Sequence, residues 1–124
     1  MTDKLDQICQ LLSLLDIAFQ AEQLKMGKIK NRINLLKLQM MEIDKPMRVA
    51  ALSAANLAGA DLRWDAWVHD RKLLINQELA HAFRDREAAR GEMIKALSKR
   101  EAAKQMYNRA KANADQVAKS RASW

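Results

Sequence analysis

Residues 5–43 read LDQICQLLSLLDIAFQAEQLKMGKIKNRINLLKLQMMEI, and the fold follows from their period. Counting three and four residues alternately from Leu5 gives Leu5, Ile8, Leu12, Leu15, Phe19, Glu22, Met26, Ile29, Ile33, Leu36, Met40 and Ile43. Only Glu22 is not apolar. An unstrained helix drifts off a strict seven-residue repeat by ~20° per heptad, so a seam this regular is built to supercoil against a partner helix. Thr2 or Asp3 is placed to cap the start, and Asp3 and Asp6 suit a positive helix N-terminus. Gly27 weakens the pattern locally, by ~1 kcal/mol relative to Ala.

The period breaks at Asp44-Lys45-Pro46, because Pro disfavours a helical residue before it and has no N–H for an interior hydrogen bond. Asp44 is a candidate cap for a new short helix with Pro46 in its first turn, followed by Ala at 50, 51, 54, 55 and 58. Gly59 reads as its end and Asp61 as the next N-cap. The reversal is therefore expected over about 44–61, between a first helix at about 3–43 and a second at about 62–118. A weaker repeat runs along the second: Val68, Lys72, Ile75, Leu79, Ala82, Arg86, Ala89, Met93, Ala96, Arg100, Ala103, Tyr107, Ala110, Ala114 and Val117. Small residues there permit close approach, while the Arg stems pack and their charges snorkel out. At 1.5 Å per residue the helices span ~60 and ~85 Å. So short a connection forces them antiparallel, with the termini together and several turns of the second helix overhanging. The expected fold is all-α, a single long antiparallel two-helix coiled-coil hairpin over residues 1–124.

Composition agrees. Of 124 residues only three are Gly and one is Pro, too few for the turns of an all-β or α/β fold. Aromatic residues make up 5%, which fits a narrow seam and not a globular core. The single cysteine, Cys9, forms no intramolecular disulfide and points to a reducing compartment. Beside Ile8, it reads as a buried, inert thiol. The N-terminus lacks signal-peptide character and no apolar run approaches ~18 residues, so a cytoplasmic protein is expected.

Motifs for catalysis are missing. There is no Gly-rich phosphate loop, no Cys/His constellation and no zinc spacing, so neither an enzyme nor a cofactor or metal site is expected. His69 and His81 read as solvated. Trp64 and Trp67 stand three apart where the second helix begins. Two readings are open: rings that cap the hairpin against residues 47–58, or an anchor for a partner, since Trp is enriched at interface hot spots. One ring in and one ring out satisfies both.

The net charge of +7 is unevenly spread. Residues 1–45 hold seven basic and six acidic side chains, residues 46–78 four of each, and residues 79–124 eleven and five. Arg86, Arg90, Arg100, Lys104 and Lys111 share one side of the second helix, and Arg84, Lys95, Lys99 and Arg109 the other. A helix that reads a DNA groove concentrates charge on one face, so nucleic acid is disfavoured. A solvated helix surface and a rod fitting an acidic protein cavity both fit better. An Ala-rich apolar face argues against a membrane-surface helix.

From Leu62 on, the segments Leu62-Arg63-Trp64, Arg71-Lys72-Leu73-Leu74-Ile75-Asn76-Gln77-Glu78-Leu79 and Lys95-Ala96-Leu97-Ser98-Lys99-Arg100-Glu101 resemble the flagellar FliJ proteins and their type III secretion stalk relatives. Length, basic charge and the mid-chain break are similar too. The resemblance implies a non-enzymatic coiled-coil stalk in the cytoplasm, held at the inner membrane's cytoplasmic face by protein partners only. Those partners are a hexameric export ATPase, the cytoplasmic ring of the export gate, and export chaperones. It implies a gate-binding patch at Trp64, Trp67 and Leu74, although Asp70 stands where the family pattern has an aromatic. The end carrying both termini enters the ATPase, so Arg100, Lys104, Arg109 and Lys111 form the ATPase-facing basic surface. Two other classes remain open: a generic coiled-coil adaptor or oligomerisation module, and a basic helical nucleic-acid-binding protein.

Overall fold

A computed structural model describes residues 2–44 and 54–123. These form two helices, α1 (Thr2–Ile43) and α2 (Ala54–Ala122), and no strand occurs among the described residues. The helices pack against each other as an antiparallel hairpin. Among the described residues no helix is long and apolar enough to cross a membrane.

The described chain divides into two compact units. One joins Met1–Met26 to Ala88–Trp124, and the other is Gly27–Glu87. In the second unit, Ile33, Leu36 and Ile43 of α1 bury against Ile75 and Ala82 of α2, with Ile29, Met40, Val68, Leu79 and Phe83 packed around them. Two ion pairs, Arg32 with Asp85 and Asp44 with Lys72, run in opposite order along the two helices and fix the antiparallel sense. Both are largely solvent-exposed and contribute at most ~1 kcal/mol each. In the first unit, Ile8, Phe19 and Met26 are buried with Ala89 and Ala103.

Every position of the α1 repeat, Glu22 included, is buried or half-buried. The α2 repeat holds likewise, except at Val117, which is 38% exposed. The two helices share the seam unequally. The buried apolar residues of α1 are large, whereas those of α2 are three alanines and Ile75, the largest fully buried side chain among the described residues. Small residues on α2 let its backbone approach the bulky ridge of α1.

Two expectations need correction. Helix α2 begins at Ala54 and not near residue 62; it runs through Gly59 and Asp61 without a break. A single Gly costs a helix ~1 kcal/mol, too little to stop one flanked by alanines and leucines. Gly59 keeps an ordinary negative φ, so it is no left-handed cap. Cys9 is exposed, not buried. It stands one residue outside the seam, and a two-helix contact this narrow covers the seam alone. The expected overhang of α2 is present: roughly five turns, residues 54–71, come before the Lys72 that pairs with Asp44. The turn chemistry expected of Pro46, the alanines at 50 and 51, and Trp124 lie outside the described residues.

Candidate functional site

Trp64 and Trp67 lie in the turns of α2 that precede Lys72. Their spacing of three puts both rings on one side of the helix, and they stack with centroids 5.1 Å apart and planes 29° from parallel. Trp64 is half-buried and Trp67 is 50% exposed. Together with Ala60 and Arg63 they line a shallow depression open to solvent. Leu74, two turns on, is 51% exposed. Asp70 is exposed between them, so no further aromatic joins the patch. The structure thus brings the two tryptophans into contact and leaves Leu74 as a separate apolar point on a similar face. The packing expected between the tryptophans and residues 47–53 falls outside the described residues.

The basic residues separate into two kinds. Arg100 is turned into the hairpin, its side chain 21% exposed. Its guanidinium lies over the Phe19 ring at 4.3 Å, Nη1 donates to Asp16 Oδ1 at 3.2 Å, and Nη2 sits 3.6 Å from Glu101 Oε1. Its charge is largely committed within the protein. Lys104 is half-exposed, 3.7 Å from the same Glu101 carboxylate. Arg109 and Lys111 are exposed and make no ion pair among the described residues. Of the four expected basic contacts, Arg109 and Lys111 are free to meet a partner. Lys104 is shared with a neighbour, and Arg100 belongs to the seam.

Sequence reasoning missed what holds the seam arginines. Arg86 lies 4.9 Å from the Phe83 ring, and Lys37 6.0 Å from the same ring on its other contact. Phe19 plays that part for Arg100. The signal was present for one of them: Phe83 and Arg86 are three apart, a spacing at which helix side chains meet. The Phe19–Arg100 contact needed the register of the two helices. Two buried atoms in the same unit have no hydrogen-bond partner, Glu22 Oε2 and Arg100 Nε.

His69 and His81 are both exposed. Among the described residues no group of three or more His, Cys, Asp and Glu could hold a metal ion. A second shallow groove, lined by Lys4, Leu5, Ala110, Asn113, Ala114 and Val117, lies between the first turns of α1 and the last turns of α2.

Comparison with protein-family models, with curated proteins and with solved structures finds no match to this chain.

Proposed function

We propose that this chain is a non-enzymatic stalk of a type III-like protein-export apparatus. It links a hexameric export ATPase to the cytoplasmic ring of an export gate and interacts with export chaperones. The observation that carries this reading is the basic end of α2, with Lys104 and Lys111 exposed on one side of the helix and Arg109 exposed on the other, in the unit of an antiparallel hairpin that holds both chain ends. A positive helix end of this kind is attracted into an acidic or polar protein cavity. The stacked Trp64 and Trp67, with Trp67 half in solvent, supply the aromatic anchor that a gate ring would grip. The protein works in the cytoplasm, at the inner membrane's inner face through its partners.

The test is binding to a purified hexameric export ATPase at low salt, with ATP hydrolysis as a second readout. The wild-type chain binds and stimulates hydrolysis, and Arg109→Glu with Lys111→Glu weakens both. Absence of binding and stimulation in the wild type would remove the stalk reading.

A coiled-coil adaptor is favoured by a different observation: Leu14, Ile17 and Leu24 of α1 are 65, 62 and 70% exposed. Pairing of the Leu/Ile seam of α1 between chains would instead compete with α2 for the same side chains. The nucleic-acid reading predicts a mobility shift of DNA or RNA that collapses as salt rises.

A further inference from the structure

On the side of α1 away from α2, Leu11, Leu14, Ile17 and Leu24 are 41, 65, 62 and 70% exposed, and Ala18 and Ala21 are exposed among them. The two acidic residues of this stretch are not on that face. Asp16 reaches across to Arg100, and Glu22 is a half-buried seam position. Residues 11–24 therefore carry an exposed apolar face of nearly four turns, left open among the described residues. Its spacing has a further property. Measured from the point between Ile17 and Ala18, each apolar position has a mate at equal distance: 17 with 18, 14 with 21, and 11 with 24.

We propose that residues 11–24 of α1 are a self-association surface, occupied by the same residues of a second copy running antiparallel about a two-fold axis between Ile17 and Ala18. A two-fold interface must be complementary to its own image, and a spacing symmetric about one point meets that demand. The operator sets Leu14 against Ala21 and Ile17 against Ala18, so a large side chain faces a small one at each central step. Leu11 meets Leu24 at either end. Charge permits the pairing: Lys25 falls opposite Gln10 and Glu22 opposite Ser13, so no like charges are juxtaposed. A contact of ~14 helical residues buries on the order of 800 Å² in all, below the ~1,200 Å² of a standard interface, so the dimer is weak and concentration-dependent. The proposal does not depend on the stalk reading.

Sedimentation equilibrium of the full chain tests it, in reducing agent because Cys9 is exposed. The chain shifts from monomer to dimer with a Kd on the order of 100 µM. Leu14→Glu with Ile17→Glu raises that Kd by at least ~10-fold. Circular dichroism stays unchanged, because both positions are exposed. A second measurement places the axis. In a Cys9→Ser background, Ala18→Cys cross-links to its own copy under mild oxidation, and Gln23→Cys, off the face, does not. A chain that stays monomeric up to ~1 mM overturns the proposal and leaves the face to a foreign partner. So does a dimer that survives the double substitution, or one that cross-links equally at residue 23.

Discussion

The Arg100 guanidinium lies over Phe19, 4.3 Å from the ring centroid, while its Nη1 donates to Asp16 Oδ1 at 3.2 Å. An arginine in a coiled-coil seam would ordinarily weaken it. Here the aromatic face and two carboxylates receive the charge, and Phe19 keeps its own side chain buried. Arg100→Ala is expected to cost about 1–2 kcal/mol, the combined range of a partly desolvated cation–π contact and its ion pairs. Arg100→Lys recovers less than half, because an ammonium does not stack on a ring and grip a carboxylate at once. Thermal unfolding followed by circular dichroism measures both.

Glu22 offers the opposite case. Its Oε2 is buried without a hydrogen-bond partner at a position the repeat assigns to an apolar residue. Removing a desolvated, unpaired oxygen recovers about 1–2 kcal/mol. Glu22→Leu should raise the melting temperature, and a lower one would show that the carboxylate is paired in solution.

Ile75 and its neighbour Leu74 test the register of α2. Ile75 is fully buried and Leu74 is 51% exposed. Ile75→Ala should therefore cost about 2–4 kcal/mol, and Leu74→Ala no more than about 0.5 kcal/mol. Equal losses in urea unfolding would mean the seam is misplaced.

Gly27 stands within α1, and a Cβ built on it meets no atom within 4 Å. Gly27→Ala thus gains helix propensity without a clash, about 1 kcal/mol of stability. Chemical denaturation with an unchanged m-value is the expected signature.

Trp67→Ala should reduce binding to an export-gate ring at least ~10-fold, the scale of an interface anchor, while far-ultraviolet circular dichroism stays constant. Lost helicity would instead make Trp67 a structural residue. Unaltered binding to a gate ring that the wild type binds would remove it from the patch.

The α1 seam was legible because Leu, Ile, Met and Phe recur at an unbroken period. The α2 seam could be read from alanines and arginines only because its threading preserved the same seven-residue count. The start of α2 was misread at Gly59 and Asp61. Gly and Asp carry local stop and start preferences worth about 1 kcal/mol, and the continuous ladder of residues 54–61 outweighs them. Cys9 was misplaced because proximity to Ile8 in sequence means ~100° of rotation away from it on the helix. For Trp64 and Trp67 the sequence left a capping and an anchoring reading open; Trp64 is half-buried and Trp67 half-exposed. Their mutual stacking depends on rotamers, which no period encodes.

That stacking gives the protein a built-in spectroscopic reporter. Two indoles 5.1 Å apart and 29° from parallel couple their transition dipoles. Their near-ultraviolet circular dichroism and emission are then properties of the pair. A ligand that wedges Trp67 away from Trp64 would change both signals without any label being attached. With Trp124→Phe removing the third indole, docking at this patch becomes an optical titration, and its stoichiometry can be read directly from the curve.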